Sequence, residues 1–258
     1  MARVASKVFR EGWLFRPREM SDGERRTVLE QLFFEGDEFA PYVIRLISLM
    51  ALSVTIAVLG LLADSSAVVI GAMLVAPLMT PILASAAATV MAWPRRQGRG
   101  LVLVLLLSAG SVGLAYALAI FTSVRDPLLS SEILARTEPT LLDLGVALAA
   151  GAAGAYVTVR TKGGAALPGV AVAVALVPPL ATGGILLERR EIDAAEGALL
   201  LFATNLAGIY LAASIVFLVT GFIPRSRTSA RAREIQIGLA ISTLLVILVA
   251  YPLGLQGR

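Results

Sequence analysis

The sequence predicts an all-α protein: a polytopic integral membrane helix bundle of about seven transmembrane spans, with an inverted 3+3 repeat and two proline-broken helices. Three observations predict it. Of 258 residues, 57% are hydrophobic and 16% charged, and the mean hydropathy is +0.83; a soluble domain has about 45–50% apolar and about 25% charged residues. The apolar residues gather in runs close to the roughly 20 residues that cross a bilayer. Lysine and arginine are distributed unevenly between alternate connecting segments, as the positive-inside rule requires.

Residues 1–42 are the only polar region of any length, and read as a basic, amphipathic cytoplasmic region. "SDGE" (Ser21 to Glu24) has the form of a capping box ahead of "RRTVLEQLFF". Val28, Leu29, Leu32 and Phe33 then form one face of a short helix. Trp13, Phe15 and the nearby arginines suit a headgroup region. Packing on the protein's own cytoplasmic face is the first expectation for this region, and lipid contact the second.

Spans Val43–Leu62, Ala67–Ala92 and Leu101–Thr122 make a first three-span repeat over residues 43–122. Leu141–Val159, Ala165–Leu187 and Gly197–Phe222 make a second over residues 141–222. Ile235–Leu253 adds a C-terminal span, residues 235–253. The segments between them are "ADSS", "WPRRQGRG", "SVRDPLLSSEILARTEPT", "RTKGG", "ERREIDAAE" and "IPRSRTSARARE". With the N-terminus inside, 17 of the 22 basic residues fall on the inner side, and half of the 18 acidic residues fall outside. The net charge of +4 therefore belongs to topology, and no nucleic-acid partner is expected.

The chain has no cysteine and no histidine. Disulfides and thiolate chemistry are excluded, and the commonest general base and metal ligand are missing. No nucleophile–base pair appears, no metal or other cofactor is called for, and the chain is not expected to be an enzyme. "TKGG" lacks the strand–turn–helix setting of a phosphate loop.

The second span, within "VVIGAMLVAPLMTPILASAAATVMAW", carries Pro77 and Pro81 near its middle. A proline inside a helix removes a hydrogen bond, at about 3 kcal/mol or more. Shifted by 102 residues, "LVAPLMTPIL" (74–83) lies over "LVPPLATGGI" (176–185), and five of ten positions agree. Each stretch is the middle span of its group, and groups of three enter the membrane in opposite senses. Inverted repeats of this kind place interrupted helices around a midplane site in secondary transporters. The plainer alternative is that Pro77, Pro81, Pro178 and Pro179 only kink helices that their neighbours mend.

"GLLADSSAVVIGAMLVAPLMTPILA", "EPTLLDLGVALAAGAAGAY", "LPGVAVAVALVPPLATGG" and "LLLFATNLAGIYLAA" resemble the prokaryotic family of hydrophobic membrane proteins known as domain of unknown function 389. The similarity covers roughly residues 44–218. It implies a multi-pass protein of a prokaryotic cell (inner) membrane and brings no activity with it.

Ionisable residues are nearly absent at depth, which argues against a proton relay or a voltage sensor. The candidate path for a solute or ion is instead Pro77, Thr80, Pro81, Pro178, Pro179, Thr182, Gly183 and Asn205. Asn205 has the ordinary alternative of an interhelical hydrogen bond. Asp64, Glu138 and Asp143 form a candidate outer vestibule that would concentrate cations. Ser65 and Ser66 suit helix capping, and Asp143 suits a first helical turn. In "GVALAAGAAGAY" the small residues, Ala147 and Gly151 among them, suit close helix packing within the bundle or between the subunits of a homo-oligomer. The expected function is passage of a small solute or ion, with membrane lipid as the surrounding partner. The alternative is a non-transporting sensor or scaffold acting through the basic N-terminal region.

Overall fold

The computed structural model describes residues 20–122, 129–160 and 176–222, and every regular element among them is helical. Helix α1, Asp22–Leu32, begins at the expected capping box. Ser21 Oγ accepts from the Glu24 amide at 3.2 Å, and the Glu24 carboxylate accepts from the Ser21 amide at 3.0 Å. Val28 and Leu32 are buried, with Leu29 and Phe33 packed beside them. Arg25 joins that face, donating to the carbonyls of Phe222 at 2.7 Å and Met20 at 3.1 Å and pairing with Asp22. Its burial is tolerable because the guanidinium has acceptors on several sides. The amphipathic helix therefore lies on the body of the protein.

A 3-10 turn at Gly36–Glu38 leads into α2, Phe39–Leu62. Then follow α3 (Ser66–Val75), α4 (Met79–Val90), α5 (Pro94–Thr122), the four-residue α6 (Ser131–Leu134), α7 (Leu141–Arg160), α8 (Val177–Glu188) and α9 (Ile192–Val219). Four helical stretches are long and apolar enough to cross a bilayer: 36–62, 94–122, 141–160 and 192–219. The pair α3 and α4, bent by 52°, makes a fifth if it counts as one span. Residues 165–175 of the expected fifth span, and all of Ile235–Leu253, lie outside the described residues.

Several helices outrun the apolar spans. α5 starts at Pro94 rather than Leu101, and α9 at Ile192 rather than Gly197. "PRRQGRG", expected as a connection, is thus helical. An apolar run marks what hydrocarbon covers; the helix continues wherever its own hydrogen bonds satisfy the backbone, and long arginine stems carry their charge to water.

The chain sorts its connections between two ends. Ser130 and Ser131 bond to Leu61 and Asp64, and Gly197 lies directly against the Thr137 carbonyl, so the α2–α3 turn, residues 129–140 and the start of α9 share one end. Arg25 meets Phe222, and Phe33 meets Trp93 with ring centroids 5.8 Å apart, so α1, the α4–α5 turn and the end of α9 share the other. α4 and α8 consequently run in opposite directions.

Those two short helices occupy the centre. Pro81–Val90 of α4 and Val177–Leu186 of α8 are buried without exception. α8 packs against α2, α5 and α9, and α4 against α5 and α9. Close approach depends on glycine: a Cβ on Gly184 would stand 2.5 Å from the Val112 carbonyl of α5. α7 meets α9 the same way, through Gly151, where a Cβ would stand 2.6 Å from Ile209 Cα. Ala147 is fully buried in that seam, so the glycine- and alanine-rich segment packs inside the bundle. Ile44, Leu52, Leu106 and Val146 face outward on α2, α5 and α7, as lipid-facing residues do.

Candidate functional site: two short helices that start inside the bundle

α3 ends at Val75, Ala76 is extended with ψ 124°, and Pro77 stands in the break itself. Proline has no amide, so the Met73 carbonyl loses its helical donor there. The neighbouring Ala72 carbonyl is bonded by Ser53 Oγ of α2 at 2.7 Å. A hydroxyl from the next helix is a standard way to satisfy a broken membrane helix.

α4 then begins on Leu78, which offers no side-chain cap. Thr80 is half-buried in its first turn, and Pro81 is the third helical residue. α8 begins on Leu176, also uncapped, with Pro178 and Pro179 as its second and third residues. First-turn amides have no acceptor within the helix, so proline there removes a donor that would otherwise be unpaired. Pro81, Pro178 and Pro179 therefore stand in the first turns of helices, and among the described residues Pro77 lies in an interruption. The 102-residue offset also fails as a residue-by-residue guide. Val177 starts α8, whereas its counterpart Val75 ends α3 and α4 starts four residues later.

Thr182 lies in the middle of α8 at 0% exposure, and its hydroxyl makes no hydrogen bond among the described residues. Its buried counterparts behave differently. Ser85, Ser108, Ser111, Thr158, Thr204 and Ser214 each donate to the carbonyl four residues back, at 2.6–2.9 Å. Gly183 is buried against Leu199 of α9, which fills the space a side chain would take. Asn205 is buried on α9 at 3% exposure. Since α9 packs on both α4 and α8, it joins the two groups of candidate residues: Pro77, Thr80 and Pro81 on one side, Pro178, Pro179, Thr182 and Gly183 on the other.

A second polar cluster lies among α4, α5 and α9. The Tyr210 hydroxyl pairs with Thr89 Oγ1, accepts from Gln97 Nε2 at 2.9 Å and reaches the Ser85 carbonyl at 3.4 Å. None of these four residues belongs to the candidate path read from the sequence. A lone tyrosine in the alanine-rich "LAGIYLAA" was the available signal, because a buried phenol needs a partner.

At the opposite end, Asp64 has φ 51°, a left-handed conformation that aspartate tolerates. Its carboxylate accepts from the Glu132 amide at 2.9 Å and from the Ser131 hydroxyl at 2.9 and 3.0 Å. These bonds hold the carboxyl below its ordinary value of 3.8, the Glu132 amide contributing most. Ser66 Oγ reaches Glu132 Oε1 at 2.6 Å, and Glu132 pairs with Arg136 at 2.9 Å. Asp143 accepts from the Thr140 amide at 2.8 Å and hydroxyl at 2.7 Å, closing a capping box at the start of α7. Glu138 is exposed. Two of the three expected vestibule acids thus hold local structure together.

The sequence profile of domain of unknown function 389 (DUF389) matches residues 73–211, more than half of the chain. The chain belongs to that family. Both short central helices, the break at Pro77, Thr182 and Asn205 fall within the matched region. The chain is also similar to the uncharacterized protein MJ0678 of Methanocaldococcus jannaschii, at 28% identity over 215 residues, 80% of this chain. The alignment spans 63% of that relative's length. No solved structure matches.

Proposed function

We propose that this chain passes a small solute or ion across a prokaryotic cell membrane, along a path between α4, α8 and α9. In this reading it has seven spans, a cytoplasmic N-terminus, two three-span halves of inverted sense, and assembles as a homo-oligomer. The observation that carries the reading is Thr182: a fully buried hydroxyl with no partner among the described residues is costly unless something else bonds it in use. The opposite directions of α4 and α8 support it too. At 12 residues α4 is about 18 Å long and too short to cross a hydrocarbon core of about 30 Å without α3, so the bend at Pro77 falls within that span. Intramembrane charge is sparse, which favours a neutral solute or a weakly held ion.

Flux in proteoliposomes tests this directly. Purified protein should carry at least one class of small solute or ion, and a Thr182→Val, Asn205→Leu double variant should carry it more slowly. Absence of flux for every class, with a soluble partner retained through residues 1–42, would leave the sensor or scaffold reading. The inverted arrangement has its own test. Because the chain has no native cysteine, a cysteine placed beside Arg189 can be labelled alone. Labelling from the cytoplasmic side would overturn the inversion.

A further inference from the structure

A groove opens at the arginine-bearing end of the bundle, between the segment joining α1 to α2 and the facing sides of α4 and α5. Its floor is made of small groups, Pro81, Ala84 and Gly100, and Leu103 extends it along α5. Phe39 and Tyr42 form the facing wall. Arg96 and Arg99 stand at the mouth. Arg96 lies 4.4 Å over Trp93 and 5.2 Å over Phe33, and pairs with Glu35 at 2.8 Å. Arg99 lies 5.2 Å over Phe39 and, among the described residues, forms no ion pair with a carboxylate. The mouth thus holds two guanidiniums against one carboxylate.

We propose that this groove binds one anionic phospholipid, the phosphate on Arg99 with help from Arg96, and an acyl chain along Leu103, Ala84 and Pro81. Charge and shape both select that occupant. The surplus guanidinium attracts an anion, and arginine suits phosphate because its fork donates two parallel hydrogen bonds. A free phosphate would leave the apolar floor uncovered, and a zwitterionic lipid brings no net charge to the mouth. The position fits as well. Trp93 and the arginines mark the level of the headgroups, and the floor continues along α5, which is long and apolar enough to cross the hydrocarbon. The aromatic faces under Arg96 and Arg99 hold both guanidiniums in place before the lipid arrives.

Native mass spectrometry of the full-length protein, exchanged into detergent with equal phosphatidylglycerol and phosphatidylcholine, tests the proposal. Phosphatidylglycerol should be retained in preference to phosphatidylcholine. Arg99→Gln should lower its retention about fivefold, the weight of one basic residue beside an anionic bilayer surface. Arg95→Gln removes the same charge from an exposed position outside the groove and should leave retention unchanged. Leu103→Trp, which fills the groove without altering charge, should also lower it. Equal losses from Arg95→Gln and Arg99→Gln would reduce the effect to surface charge and overturn the site. Equal retention of the two lipids, full retention by Leu103→Trp, or displacement of phosphatidylglycerol by millimolar inorganic phosphate would overturn the lipid as occupant.

Discussion

Replacing Thr182 with valine exchanges a hydroxyl for a methyl group of nearly the same shape, at a site with 0% exposure and no hydrogen bond among the described residues. Both side chains are β-branched, so helix propensity barely changes. What changes is desolvation: an unpaired hydroxyl in a protein interior costs about 1–3 kcal/mol. The variant should therefore be more stable by about 1–2 kcal/mol, part of the gain being lost to imperfect repacking. For a chain of this size that is a rise of about 2–8 °C in the unfolding midpoint. The matched control is Thr158→Val on α7, where the hydroxyl donates to the Gly154 carbonyl at 2.8 Å and its removal should lower stability by up to about 1 kcal/mol. Thermal unfolding followed by circular dichroism, in one detergent for all three proteins, gives the comparison. A fall for Thr182→Val like that for Thr158→Val would mean that the hydroxyl is bonded at rest, and the case for Thr182 as a solute contact would fail. A stabilised variant with reduced flux is the expected pairing, since sites kept ready for a ligand trade stability for function.

Two further outcomes follow from the packing and from the end of the bundle that holds Asp64. Gly151→Ala should destabilise by about 1–3 kcal/mol because its Cβ would meet the α9 backbone at Ile209. Gly145→Ala on the same helix, with open space around it, should instead gain about 0.5–1 kcal/mol, and the same unfolding assay reads both signs. Asp64 is a carboxylate whose folded value is depressed, so its hold on residues 129–140 is complete above pH 3.8 and is lost as pH falls through that lowered value. A spin label at exposed Ala135 should gain mobility as the pH drops through that range. In Asp64→Asn it should be mobile at every pH, and a label equally immobile in both proteins would refute the latch.

Much of the architecture was legible because lipid imposes one-dimensional rules. An apolar run of sufficient length reads as a span whatever its neighbours do, and α2, α5, α7 and α9 all lie where such runs do. The capping box at Ser21 and Glu24 was equally local, needing only residues three apart. The bend at Pro77 followed from a missing amide. The roles of the other prolines were not legible, because a proline that opens a helix and one that breaks it read alike until the helix start is known. Asp64 read as a candidate vestibule acid, and its partners were not legible because Ser131 and Glu132 come from a loop more than 60 residues away.

By itself the sequence determined a helical membrane protein of the DUF389 family, the apolar spans and the interruption at Pro77, since composition, spacing and backbone chemistry act along the chain. Only the tertiary structure decided that α4 and α8 fill the centre while longer helices surround them. Only it decided that Tyr210 gathers Thr89 and Gln97, and that among the described residues the buried Thr182 hydroxyl is left unbonded. The physical reason is that burial and hydrogen-bond satisfaction belong to pairs of helices. Which face of an almost uniformly apolar helix meets which partner is set by close contacts such as those at Gly151 and Gly184, and periodicity does not mark them.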